Sequence, residues 1–139
     1  MSELVRFSVA MPVELLMQFD ELVARRGLAK NRSEVIRDLV RETLVAEEWD
    51  DPHAEIVGTL SIVYSHHAGD LQNKLDHIQH NHHDKIISSM HVHLDAHNCL
   101  EVIVMRGQSR LIRVLAESIL GVKGVKHGNL TTTTTGKSL

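Results

Sequence analysis

The sequence predicts an α+β protein made of two units: a strand with two helices, followed by a β-α-β-β-α-β unit. Three observations support this fold class. Residues 4–11 alternate apolar and polar side chains, residues 12–44 carry apolar side chains at helical spacing, and residues 55–132 switch repeatedly between the two periods. An acidic segment that contains a proline separates the two patterns.

The first element is a half-buried strand over residues 4–11. One of its faces carries Arg6, Ser8 and Ala10, and the other carries Phe7, Val9 and Met11. The first unit contains no second strand in its pattern, and unpaired backbone N–H and C=O groups are unfavourable. We therefore expect this strand to pair with the same strand of a second chain.

Two helices follow the strand. Pro12 suits the first turn of a helix whose apolar stripe runs to Val23. Asn31 and Glu34 have the spacing of a capping box at the start of the second helix, with Ser33 as a competing cap. Residues 1–48 have too little core to stand alone, so we predict a βαα ribbon-helix-helix domain that dimerises.

The second unit begins after a linker. Residues 47–54 are acidic, include Pro52 and break both periodicities, so we place the linker at residues 49–54. The expected elements of residues 55–139 are strand 55–64, helix 70–80, strands 85–94 and 99–106 around a turn at 95–98, helix 108–121 and strand 125–132. This order is the ferredoxin-like arrangement.

Composition excludes several classes of protein. No run approaches the roughly 20 apolar residues of a membrane span, and the N-terminus lacks the pattern of a secretory signal, so we expect a cytoplasmic protein without a membrane partner. The net charge of -3 argues against a protein that coats nucleic acid indiscriminately. The 11 histidines, most of them between His66 and His97, are typical of metal binding.

The first unit has the chemistry of a reader of double-stranded DNA. A two-stranded ribbon fits the major groove, where Arg6 could contact guanine, Ser8 could donate or accept, and Ala10 could touch a thymine methyl. The start of the second helix, at Arg32 and Ser33, is a natural place for a phosphate. The alternative is that the strand only joins two subunits.

The second unit predicts a metal site at one end of its sheet. His91 and His93 lie two apart on one strand and therefore share a face, and the turn brings Cys99 back beside them. His80, at the end of the preceding helix, is the leading fourth ligand, and Glu101 could orient an imidazole. Three nitrogens and one thiolate suit Ni(II), Cu(II) or Zn(II), and ligand type alone does not separate them.

The other histidines and the lone cysteine allow further roles. His66, His82 and His83 are candidates for surface or secondary metal-site residues. A Cys-His nucleophile would need a base, an oxyanion hole and a substrate cleft, and the sequence shows none of these, so we expect neither an enzyme with catalytic residues nor a small-molecule substrate.

The sequence resembles the nickel-responsive regulator (NikR) family. The spacing His66-x13-His80-x10-His91-x-His93-x5-Cys99 matches the family's metal motif in residue type and spacing. Further matches are Arg6-x-Ser8 and the segments NRSEVIRD (31–38), MHVH (90–93), NCLEVIV (98–104) and GVKHG (124–128). The resemblance covers nearly the whole chain. One departure is Ala10, where family strands usually carry a third polar residue.

The resemblance implies a homotetramer, a dimer of dimers in which ACT-type domains form the centre and ribbon-helix-helix dimers form the ends. It also implies that Ni(II) is bound by His91, His93 and Cys99 of one subunit and His80 of a neighbour. Glu34 and Asp38 match family positions of a second cation site, which backbone carbonyls near residues 120–125 complete when DNA is bound.

Three functions remain open. The first, and the one the resemblance favours, is a nickel-responsive repressor of nickel uptake genes in which Ni(II) raises the affinity for operator DNA. The second is a metal buffer or carrier, which the outward Arg6 and Ser8 disfavour. The third is a regulator that senses an amino acid, which the thiolate at Cys99 disfavours because an amino-acid pocket has no use for it.

Overall fold

The computed structural model describes residues 2–27 and 30–139, which divide into two compact units at residues 1–42 and 43–139. The first unit contains α1 (Val13–Arg25) and most of α2 (Arg32–Asp50). The backbone N–H of Glu34 donates to Asn31 Oδ1 at 3.0 Å, so Asn31 caps α2, as its position predicts. Arg32 donates twice to the carboxylate of Asp20 at 2.8 Å, which joins the start of α2 to α1.

The predicted strand over residues 4–11 does not form in the single chain. Residues 2–12 adopt no helix or strand, and the side chains of Phe7 and Val9 are 73% and 60% exposed. The physical reason is that a strand needs a hydrogen-bonded neighbour, and the part of the chain that the structure describes offers none to this segment. The alternation of polar and apolar side chains predicts a strand only when a second chain supplies that neighbour.

The helix α2 extends further than the sequence predicts. It continues to Asp50, so the first residues of the segment at 47–54 are helical, and only residues 51–54 form the turn that leads into the second unit. Trp49 explains the extension, because its half-buried ring packs against the core of the second unit and favours one more turn of helix.

The second unit is a four-stranded antiparallel sheet with two helices. Its elements are β1 (Glu55–Ser65), α3 (Leu71–Asn81), β2 (Ile86–His93), β3 (Asn98–Gln108), α4 (Ser109–Leu120) and β4 (Val125–Thr134). The strand order is β2-β3-β1-β4, and all pairs are antiparallel. The predicted ferredoxin-like arrangement is confirmed, with element ends within two residues of those expected from the sequence.

One face of the sheet carries the core. Residues of β1 and β3 alternate between buried and half-buried positions, and the buried set packs against apolar residues of α3 and α4. The strand residues of this core include Leu60, Ile62, Tyr64, Ile103 and Met105, and the helix residues include Leu75, Ile112 and Ile119. Among the described residues, no helix is long and apolar enough to cross a membrane. Because α3 lies over the end of the sheet where β3 begins, this end combines a buried face with an exposed hairpin.

Candidate metal centre

Strand register brings three of the four predicted metal ligands, His91, His93 and Cys99, to one face of the sheet. Cys99 pairs with His93 on one side and with Tyr64 on the other, and Glu101 pairs with His91. Because side chains two residues apart share a face, the two histidines, the cysteine and the glutamate all lie on the face that α3 covers. The β2–β3 hairpin therefore places two imidazoles beside one thiol, as the spacing in the sequence predicts for a turn at residues 95–98.

The turn of this hairpin is fixed by Asp95. Its Oδ1 accepts the backbone N–H groups of His97 and Asn98 at 2.7 and 2.8 Å, and the N–H of Leu94 donates to the carbonyl of Asn98 at 2.9 Å. The hydrogen bonds from the side chain and backbone of Asn98 and from the backbone of His97 lower the pKa of Asp95 to about 2. Asp95 is therefore charged at neutral pH and holds the end of β2 against the start of β3.

The thiol of Cys99 is the buried centre of the donor cluster. Its Sγ lies 3.3 Å from Nδ1 of His66 and 3.6 Å from Nδ1 of His93, and Cys99 has no solvent exposure. The donor atoms of these three residues all lie within 4.8 Å of one another. In residues 2–27 and 30–139, this is the one group of three or more His, Cys, Asp or Glu side chains close enough to hold a metal ion.

His66, which the sequence places among the surface or secondary metal-site candidates, lies next to Cys99 in this cluster. It follows the last residue of β1, and its backbone N–H donates to the carbonyl of His97 at 3.1 Å, which holds its ring over Cys99. Partial desolvation, followed by the nearby imidazoles of His67 and His93, lowers the pKa of His66. His66 therefore stays neutral, and able to donate a lone pair to a metal, at a lower pH than an ordinary histidine.

His91 lies beside the cluster, and one of its nitrogens is already engaged. Its ring centroid is 5.2 Å from that of His93, while its Nδ1 is 3.3 Å from the Tyr64 hydroxyl and 3.8 Å from Glu101 Oε1. Its other nitrogen, Nε2, is thus the atom free to face a metal. The engaged side fixes the orientation of the ring, which is the usual arrangement around a metal-binding imidazole.

A buried polar network ties these residues to α3. The Tyr64 hydroxyl donates to Gln72 Oε1 at 2.8 Å, and Gln79 Nε2 donates to Glu101 Oε2 at 2.8 Å. Burial raises the pKa of Tyr64 well above its ordinary value and also raises the pKa of Glu101. Both glutamines belong to α3, so the orientation of His91 depends on α3 staying in place.

His80 lies apart from the cluster within the single chain. It is exposed near the end of α3, with its ring 6.4 Å from that of His83. The Nδ1 atoms of His82 and His83 lie 2.8 and 3.1 Å from the carbonyls of Ile78 and His80, so these two histidines cap the end of the helix. The chain therefore does not bring its own His80 to its own Cys99.

The predicted DNA-contacting residues differ in whether their side chains are already engaged by other residues. Arg6, Ser8 and Ala10 are exposed in the extended segment, and Ser33 is exposed in the first turn of α2. Arg32, in contrast, is occupied by its two hydrogen bonds to Asp20. Asp38, which the resemblance assigns to a second cation site, forms ion pairs with Lys30 at 2.7 Å and Arg41 at 3.6 Å, and the hydrogen bond from Lys30 and these charges lower its pKa.

The donor chemistry of the cluster fits a borderline transition metal. A thiol with imidazole nitrogens suits Ni(II), Cu(II) or Zn(II), whereas Mg(II) and Ca(II) prefer oxygen ligands. A ferredoxin-like unit with such a cluster, preceded by a strand-pattern segment and two helices, defines the class of metal-dependent regulators with a ribbon-helix-helix domain.

Comparison with known proteins identifies the family. Residues 57–133 match the NikR C terminal nickel binding domain, and residues 5–47 match the ribbon-helix-helix protein, copG family. The chain is 55% identical to a nickel-responsive regulator of Geobacter sp. (strain M21) and 53% identical to one of Geobacter sulfurreducens, covering 100% of this chain and 99% of each relative. It is 49% identical to one of Pyrococcus horikoshii, covering 99% of both chains. The chain belongs to the NikR family of regulators, which are not enzymes, and its metal is Ni(II).

Proposed function

We propose that this protein is a nickel-responsive, sequence-specific DNA-binding repressor of nickel uptake genes, and that Ni(II) raises its affinity for operator DNA. The observation that carries the proposal is the thiol and imidazole cluster at Cys99, directly beneath an α3 that two glutamines hold in place. Ni(II) supplies a strong coordinate link among these groups when it is bound. The family and its ribbon-helix-helix domain support the DNA-binding part of the proposal.

We assign the nickel ligands as His91, His93 and Cys99 of one subunit with His80 of another. Three features support this assignment. His91 has an oriented ring with Nε2 free, His93 has Nδ1 directed at the sulfur, and the chain's own His80 is exposed on the surface, where another subunit could reach it. His66 is the alternative donor when His80 of a neighbour is not in place, because it already lies 3.3 Å from Sγ of Cys99.

The proposed assembly is a cytoplasmic homotetramer with ribbon-helix-helix dimers at its ends. Exposed apolar side chains in the N-terminal segment support dimerisation there, since Leu4, Val5 and Phe7 are 83%, 82% and 73% exposed. Met90 is 58% exposed on the face of β2 opposite the metal ligands. A second copy that covers these surfaces removes the apolar area from water.

Nickel acts on the protein through α3 in this proposal. The ligands belong to the second unit, so the metal favours one arrangement of the assembly and does not contact DNA. Without metal, α3 is held to the sheet end by Gln72 and Gln79 together with Leu71 and Leu75, which are its buried apolar residues. Coordination of nickel by His80, at the end of the same helix, adds a further link. The free energy of that link favours the nickel-bound arrangement of the assembly over the nickel-free one.

The test is a gel shift with promoter fragments, with and without Ni(II). We expect retardation of a specific fragment at lower protein concentration when Ni(II) is present, and weaker, salt-sensitive binding to unrelated DNA. Equal affinity for all fragments at every nickel concentration would contradict the proposal and favour a metal buffer or carrier. Mg(II) at the same concentration is the control for a general effect of divalent cations.

A further inference from the structure

The last turn of α2 is built into the second unit. Trp49, the one tryptophan of the sequence, packs against the core of that unit, and the guanidinium carbon of Arg113 lies 4.3 Å from the centre of its ring. A guanidinium stacked over an indole is attracted by the negative face of the ring. The end of α2 is therefore held against α4 by both apolar packing and a cation–π contact.

The turn that follows α2 caps the start of α4. The backbone N–H of Ser109 donates to the carbonyl of Ala54 at 2.9 Å, that of Arg110 donates to Pro52 at 3.2 Å, and the Ser109 hydroxyl donates to the carbonyl of Asp51. The first N–H groups of a helix need acceptors, and Gln108 at the N-cap supplies none from its side chain. Since Ser109 is only 1% exposed, water does not readily replace these carbonyls.

These contacts connect the metal centre to α2 by way of β3 and α4. Strand β3 starts beside Cys99 and leads directly into Ser109, the first residue of α4. Helix α4 holds Trp49 through Arg113, and α2 contributes residues to both compact units. A free linker in this place would let the two units move independently, and a change at the metal centre would then have no mechanical route to α2.

We propose that Trp49 and the turn at residues 51–54 fasten α2 to α4, and that this fastening transmits the nickel-bound state of the second unit to the DNA-binding unit. The inference rests on the proposed nickel-dependent DNA binding and adds the contact through which nickel binding affects the DNA-binding unit. The last turn of α2 and the nickel-binding unit therefore move together, and any pivot in the chain lies before Trp49. Trp49 lies outside the donor cluster and acts as a positioning residue through its contact with Arg113.

The first test measures transmission in the full-length protein. We expect Trp49→Ala to bind Ni(II) with the wild-type stoichiometry and to lose about tenfold of the nickel-dependent gain in operator affinity, which lies within the usual range of coupling between sites. Trp49→Phe, which keeps an aromatic ring for Arg113, should restore most of the gain. An unchanged gain in Trp49→Ala, with nickel binding intact, would overturn the inference.

The second test needs no DNA and stays informative if Trp49→Ala folds poorly. Acrylamide quenching of Trp49 fluorescence reports whether the ring is held. We expect Arg113→Ala to increase quenching and Arg110→Ala, whose exposed guanidinium lies on the same helix, to leave it unchanged. Equal quenching in the two variants would show that Trp49 is not fastened by Arg113. If Trp49 is held by Arg113 but nickel does not change the operator affinity, the proposed function and the transmission are both refuted. The contact between Trp49 and Arg113 would still stand.

Discussion

The sulfur of Cys99 lies 3.3 Å from Nδ1 of His66, although 33 positions separate the two residues in the chain. This contact places a second imidazole beside the thiol without help from another subunit. It also explains why a single chain already contains a cluster of three donors within 4.8 Å of one another. Under the proposed function, such a partial site takes up Ni(II) first, and a neighbour's His80 then completes the coordination.

We predict that His80→Ala keeps a weaker nickel site and that His66→Ala in this background weakens it further by at least about tenfold, since even a residue that only orients a ligand typically contributes about that much to metal affinity. His127→Ala, an exposed histidine on β4, is the matched control. Isothermal titration with Ni(II) measures the affinity. If the His66 substitution leaves the affinity of the His80→Ala protein unchanged, His66 is not a ligand of the partial site.

Gln79 is expected to stabilise the protein through Glu101. Gln79→Ala removes the 2.8 Å hydrogen bond to the buried carboxylate, and a buried polar group left without its partner costs about 1–3 kcal/mol. Chemical denaturation of the metal-free protein should therefore show a loss of this size. Asn73→Ala, an exposed substitution on the same helix, should change the free energy of unfolding much less. Equal effects of the two variants would mean that the hydrogen bond contributes nothing.

Asp95 is expected to support nickel binding from outside the donor set. Asp95→Ala removes the acceptor that fixes the hairpin turn, so the positions of His93 and Cys99 become less restricted. We predict a loss of nickel affinity of about tenfold, similar to that of other residues that orient ligands. Asp95→Asn keeps an acceptor oxygen and should lose less. Wild-type nickel affinity in Asp95→Ala would show that pairing of β2 with β3 suffices to place the ligands.

The ion pair between Asp20 and Arg32 predicts a pH dependence. The hydrogen bond from Arg32 lowers the pKa of Asp20 below 3.8, so the pair stabilises the folded state at and above pH 3.8. That stabilisation is lost as the pH falls from 3.8 through the lower pKa of the folded state. Asp20→Asn should lower the melting temperature at pH 7, and this effect should shrink as the pH falls below 3.8. A difference in melting temperature that does not change with pH would exclude the ion pair as its cause.

The same substitution tests the availability of Arg32 to DNA. Its guanidinium is occupied by Asp20 in the structure. Asp20→Asn removes a negative charge and releases Arg32, so binding to non-specific DNA should become tighter and more dependent on salt. Unchanged affinity and salt dependence would indicate that Arg32 serves the fold alone.

Periodicity was sufficient to predict the fold of the second unit and the proximity of His93 and Cys99. The alternation in β1 and β3 and the turn at Asp95 determine which side chains meet, so the proximity of His93 and Cys99 follows from counting residues along two strands. His66 could not be ranked in this way because it lies in the loop after β1, where no period applies. A useful signal was its position just beyond Tyr64, whose strand becomes the neighbour of Cys99.

Two features of the first unit depend on information outside local sequence. The segment around Phe7 needs a second chain to become a strand, so a single chain leaves it without regular structure. The extension of α2 to Asp50 depends on Trp49 meeting Arg113, which is 64 positions further along the chain. Acidic residues and a proline predicted a linker there, and tertiary packing overrode that local preference.

Nickel-dependent operator binding by Cys99→Ala is the most direct test of the central claim that Cys99 senses nickel. The measurement is fluorescence anisotropy of a labelled operator fragment titrated with wild-type or Cys99→Ala protein, with and without Ni(II), alongside the ultraviolet absorption of the sulfur-to-nickel transition. The account predicts that the variant stays folded and loses both the absorption band and the nickel-dependent gain in affinity. A folded Cys99→Ala protein that keeps the full nickel-dependent gain would contradict it.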